Sequence, residues 1–120
     1  MKTQNTIREM TFDFSLRIIQ LYKVLINQKE YVLSKQLLRC GTSIGANVEE
    51  ANAGQSKRDF IAKMSIASKE ARETKYWLRL LDKSQIVIQD FTPYLTAIEH
   101  IINIITKIVK TSQEASSSPA

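Results

Sequence analysis

The chain has 120 residues, 43% hydrophobic and 24% charged, with three Gly and two Pro. That is enough for one domain with its own core, and too little punctuation for many short strands and tight turns. The single cysteine, Cys40, excludes an intramolecular disulfide, and the opening MKTQNTIREM has no apolar signal-peptide core, so a cytoplasmic protein is expected; the formal charge of +5 admits an anionic partner without requiring one.

Residues 1–10 are expected to be a flexible N-terminus. Phe14, Ile18, Leu21 and Leu25 then fall four, three and four residues apart, which predicts a first helix from Thr11 to Gln28. The polar run Asn27-Gln28-Lys29-Glu30 ends it. Ser34 is the predicted N-cap of a second helix, with Leu33 and Leu38 placed as a hydrophobic staple, and Leu37, Gly41, Ile44, Val48 and Ala51 continue at heptad spacing. Gly54 suits the left-handed residue that closes such a helix.

Ser56-Lys57-Arg58-Asp59 has the form of a capping box and predicts the start of a third helix, whose stripe runs through Phe60, Met64, Ala67, Ala71, Thr74, Leu78 and Leu81. The connector 84–90 contains Gln85-Ile86-Val87-Ile88, a strand-like run with no visible pairing partner. Thr92-Pro93 predicts a fourth helix, carrying Leu95, Ile98, Ile102, Ile105 and Val109. Its apolar stretch from Ile98 to Val109 is broken by Glu99, His100, Asn103 and Lys107 and falls short of the roughly 20 residues of a membrane span. The expected fold is all-α, an up-down-up-down antiparallel four-helix bundle over residues 11–112, followed by a disordered tail over 113–120.

Several residue types invite a chemical reading. His100 follows Glu99 directly, but Ala97 stands where a di-iron bundle needs the glutamate of Glu-x-x-His, so a surface histidine is the expectation. Glu70 and Glu73 have the Glu-x-x-Glu spacing of magnesium-dependent helical pyrophosphatases, yet no second such pair follows, and ion pairing is the simpler role. Cys40 has no histidine near it in sequence and is expected to be a buried, inert thiol. Each interior glycine costs a helix about 1 kcal/mol against alanine, so Gly41 and Gly45 in successive turns imply a helix passing closely over them. Ala67 and Ala71 offer the same close approach on helix three.

The two flanks of helix three differ in kind. Lys69, Arg72, Lys75, Arg79 and Lys83 follow one another at three- or four-residue spacing and form a basic stripe that would track phosphates. Ile66, Trp77 and Leu80 lie on the other flank, outside the core stripe, and imply a subunit contact.

Two long motifs carry a family resemblance. Residues 37–51, LLRCGTSIGANVEEA, resemble the helix-two signature Arg-Ser/Ala-x-x-Ser-Ile-x-Ala-Asn-Ile-x-Glu-Ala/Gly of the bacterial four-helix-bundle proteins of 23S rRNA intervening sequences. Ser56-Lys57-Arg58-Asp59-Phe60 and residues 69–78, KEARETKYWL, are similar to the Lys-x-Asp-Phe and Ala-x-Gly/Glu-Ser/Thr-x-Glu-x-x-x-x-Leu region of helix three. The pattern departs at Cys40, where Ser or Ala is common, and at Lys75, where an acid is frequent. The resemblance implies an antiparallel bundle assembled into a ring-like homo-oligomer, a pentamer, with no catalytic residues. It also implies kinship with the accessory variability protein of diversity-generating retroelements, which works with a reverse transcriptase and nucleic acid.

The expected function is that of a non-enzymatic oligomer without metal or cofactor, binding RNA or DNA through the basic stripe and acting beside a reverse transcriptase or other nucleic-acid enzyme. Two alternatives stand beside it: a protein-binding scaffold with no nucleic-acid ligand, and a hydrolase with a composite metal site built from Glu70 and Glu73 of several subunits.

Overall fold

The computed structural model describes residues 2–117, with side-chain surroundings from residue 6 to residue 115. Four helices follow in order: α1 (Lys2–Asn27), α2 (Leu33–Asn52), α3 (Lys57–Ser84) and α4 (Thr92–Ser117). Among the described residues there is no strand.

Cross-helix contacts fix the topology. Ascending α2, Gly41 lies against Ile18, Gly45 against Thr11, and Glu49 pairs with Arg8, so α2 runs opposite to α1. Arg39 reaches Glu70 while Glu50 meets Lys63, and Arg72 reaches Thr106 while Lys75 meets Glu99. Each helix is therefore antiparallel to the one before it. α1 and α4 close the bundle, and among the described residues the backbones of the diagonal pairs stay apart. The core inside is formed by Phe14, Ile18, Leu21, Leu25, Leu37, Ile44, Met64, Leu78, Leu81, Ile98 and Ile105, with Val87 and Phe91 of the connector sealing one end.

The ends of the elements differ from the sequence expectation in four places, each for a physical reason. First, α1 starts well before Thr11, and the segment 1–10 expected to be flexible is helical from Lys2. Ile7 and Thr11 extend the buried stripe, and the Thr11 hydroxyl satisfies itself by donating to the Ile7 carbonyl at 2.8 Å, so a polar residue can occupy a core position. Second, Ser34 is not the N-cap of α2. It is buried, its hydroxyl donates to the Glu30 carbonyl, and the Glu30 carboxylate accepts from the N–H groups of Val32, Leu33 and Ser34 at 3.3, 3.2 and 2.6 Å. A glutamate before the helix thus supplies the acceptor that a capping serine would have supplied.

Third, no described glycine has a positive φ: α2 closes on Ala53 in right-handed geometry, and Gly54 is not a left-handed terminator. The left-handed positions belong to Lys29 and Gln85, at φ 66° and 54°. At Lys29 the bonds from the Glu30 N–H to the Leu25 carbonyl and from the Lys29 N–H to the Ile26 carbonyl form a Schellman motif. Fourth, residues 113–117 of the expected disordered tail continue α4; the rest of that tail lies outside the described residues.

The capping box does operate at α3, where the Ser56 hydroxyl accepts from the Asp59 N–H at 3.0 Å. The strand-like run finds a partner too. The Gln28 side chain donates to the Ile88 carbonyl at 2.8 Å and accepts from its N–H at 2.7 Å, a side-chain imitation of a β-bridge that ties the connector to the end of α1.

Candidate functional site

Gly41 and Gly45 are points of close approach between α1 and α2. A Cβ on Gly41 would stand 3.0 Å from two side-chain carbons of Ile18, and one on Gly45 would stand 3.2 Å from the Thr11 carbonyl oxygen. Ala67 and Ala71 are fully buried on α3. Cys40 is also fully buried, its thiol 3.7 Å from the Leu37 carbonyl, and burial pushes its pKa up to about 11. That holds the thiol protonated and away from reagents, the opposite of what a nucleophile needs.

Between α2 and α3 runs a charged lattice. Arg39 reaches the Glu70 carboxylate at 3.3 Å and also bonds Glu73, while the Trp77 indole N–H donates to Glu73 at 3.0 Å. The indole and guanidinium together hold the Glu73 carboxyl below its ordinary pKa. Both members of the Glu-x-x-Glu spacing are thus committed to Arg39. Trp77 is half-buried and packs against the core, whereas Ile66 and Leu80 are exposed.

The basic stripe lies along the opposite flank of α3, facing α4 and the solvent. Lys75 pairs with Glu99 at 2.6 Å, and Arg72 donates to the Thr106 hydroxyl at 3.1 Å. These two bind the helices together, while Lys69, Arg79 and Lys83 stand in solvent. Thr106 brings two further exposed cations into play on α4: Lys107 beside it and Lys110 one turn on. Reading helix three alone misses them, because they belong to the part of α4 that the Arg72–Thr106 contact sets beside α3. His100 is exposed on α4, at a shallow crevice shared with Asp13 and Arg17 of α1.

A second feature escapes the sequence reading. Phe12, Leu16 and Ile19 are exposed and form an apolar stripe along the outer side of α1, beside a groove floored by Ser15, Thr42 and Ala46. Their four- and three-residue spacing was visible in the sequence, masked by the stronger core stripe that shares the helix. Among the described residues no helix is long and apolar enough to cross a membrane.

Comparison with known proteins agrees with this architecture. A crystallised protein of unknown function from Bacteroides thetaiotaomicron VPI-5482, of the S23 ribosomal protein family, superposes with a TM-score of 0.86 at 44% sequence identity, covering 90% of this chain and 98% of that one. No curated protein matches the chain significantly. The family described as 23S rRNA-intervening sequence protein matches residues 3–107. With four antiparallel helices, the glycine contact of α2 on α1 and a match over most of its length, the chain belongs to the 23S rRNA-intervening sequence protein family.

Proposed function

We propose that the protein is a non-enzymatic homo-oligomer, pentameric as the sequence resemblance implies, that binds RNA or single-stranded DNA on the cationic face shared by α3 and α4. The observation that carries the reading is the row of exposed cations along the α3–α4 pair, with Lys107 and Lys110 toward one end, Arg72 between, and Arg79 and Lys83 toward the other, and with Glu99 already neutralised by Lys75. One such face contacts a few phosphates and binds weakly near physiological salt, whereas several faces on one strand gain from effective concentration. A nucleic-acid enzyme such as a reverse transcriptase is then a natural companion, sharing the same strand.

The test is binding of a fluorescent single-stranded oligonucleotide across a salt series. Binding should weaken with a log–log slope of about −0.7 per phosphate contacted. Arg79→Glu/Lys110→Glu reverses two exposed cations that hold no other side chain among the described residues and should abolish binding without altering helicity. No binding at low salt, or equal binding by the variant, rejects the face. Co-purification of nucleic acid, removed by nuclease, is an independent check.

A further inference from the structure

We infer that the end of the bundle where both connectors turn is a docking surface for a phospholipid bilayer carrying anionic headgroups, which takes up Tyr31, Val32, Ile86 and Ile88.

Residues 28–32 link α1 to α2 and residues 85–91 link α3 to α4, and the Gln28–Ile88 bonds join the two connectors at one end of the molecule. Val87 and Phe91 turn inward there and belong to the core. Ile88 and Val32 are 90% and 71% exposed, and Tyr31 and Ile86 are exposed with them. Four large apolar side chains thus stand at one tip without serving the core, and a grouping of that kind marks a contact surface. They project from the tip, a shape that a bilayer takes up without a matching pocket.

A connector that leaves water for lipid needs its backbone groups satisfied from within the protein, because hydrocarbon offers them no partner. The two most exposed aliphatic residues of the tip meet that condition. The Gln28 side chain holds both the N–H and the carbonyl of Ile88. The Val32 N–H donates to the Glu30 carboxylate at 3.3 Å, and the Val32 carbonyl accepts from the Gln36 N–H at 3.4 Å. Tyr31 adds a ring with a polar end, the side-chain type that settles at headgroup level.

Charge selects the headgroup. Lys29, Lys35 and Lys83 are exposed around the tip, with Lys23 and Arg79 behind them. The acids of the same region are Glu30, Asp82 and Asp90; the first two are half-buried, Glu30 accepts from the N–H groups that begin α2, and Asp90 accepts from the Thr92 N–H at 3.0 Å. Five cations against three acids leave the tip net positive, which favours anionic over zwitterionic lipid at short range.

The experiment uses the full chain with Ile88→Cys, labelled with a fluorophore whose emission moves to the blue in an apolar setting; native Cys40 is fully buried and does not label. Vesicles of phosphatidylcholine with about 30% phosphatidylglycerol should shift the emission, and vesicles of phosphatidylcholine alone should not. In vesicle flotation Ile86→Ser/Ile88→Ser should lose about tenfold or more in affinity, while its oligonucleotide binding stays at the wild-type level. Vesicle binding without a shift would show attachment by surface charge alone and overturn the docking surface, as would equal flotation of the serine variant or no flotation at low salt. A blue emission already present without vesicles would show the tip covered by a second copy and overturn it as well.

Discussion

The Trp77 indole N–H and the Arg39 guanidinium converge on one carboxylate oxygen of Glu73, joining α2 to α3 halfway along the bundle. Because Glu73 titrates below its ordinary value in the folded protein, its contribution is full above the unfolded carboxylate's pKa and is lost as pH falls through the folded one. Glu73→Gln should therefore lower the urea midpoint near neutral pH, and this deficit should shrink as the pH falls below the unfolded carboxylate's range. Arg39 is half exposed, so its ion pairs contribute at most about 1 kcal/mol, and Trp77→Phe should cost a similar amount, about 1 kcal/mol, by removing the hydrogen-bond donor. A Glu73→Gln deficit that persists unchanged in acid would contradict the assignment.

Gly41→Ala and Gly45→Ala should both lower thermal stability although alanine favours helix. At Gly41 the new methyl meets Ile18, a fully buried β-branched side chain with little rotameric freedom, at an overpacking cost of about 1–3 kcal/mol against a propensity gain of about 1 kcal/mol. In an Ile18→Ala background the Gly41→Ala change should become neutral or stabilising. Gly45→Ala meets the Thr11 backbone, which cannot rotate aside, so no side-chain truncation should rescue it. Thermal melts of the singles and the double decide both points.

Lys29→Gly should stabilise the protein, by about 1 kcal/mol, because Lys29 holds a left-handed conformation that glycine adopts at no steric cost. One residue on, Glu30→Ala should destabilise by about 0.5–2 kcal/mol, since it strips the acceptor from three N–H groups at the start of α2. Ser34→Ala should cost less than Glu30→Ala. The reverse order in chemical denaturation would restore Ser34 as the principal cap.

The bundle was legible in the sequence because burial follows period: the buried positions of α3, Met64, Ala67, Ala71, Thr74, Leu78 and Leu81, are the predicted heptad with only Phe60 half-exposed. What local pattern could not give were relations between distant residues. Thr11 looks polar until its hydroxyl is seen bonded to Ile7, and the Ile86–Ile88 run looks unpaired until Gln28 arrives from 60 positions away. Glycine as helix terminator was misplaced at Gly54 because the left-handed turns fall on Lys29 and Gln85. The basic stripe was visible as spacing, but its division into cations that bind α4 and cations that face solvent needed the α3–α4 pairing.

The last prediction concerns Cys40, whose thiol is pushed up to about 11 by burial. An acid with a raised folded pKa loses its proton first in the unfolded chain, so the unfolded state gains on the folded one as pH rises from the free-thiol value of about 8.5 toward 11. Stability should decline across that window in the wild-type protein and decline less in Cys40→Ser, which has no group titrating there. Cys40→Ser should fold, because serine is close in volume and its hydroxyl keeps a donor toward the Leu37 carbonyl. In the native protein the thiol should react with a chromogenic disulfide only at the rate of unfolding, and denaturant should speed that reaction. Rapid labelling of the folded protein at neutral pH would show Cys40 to be accessible and reopen it as a nucleophile.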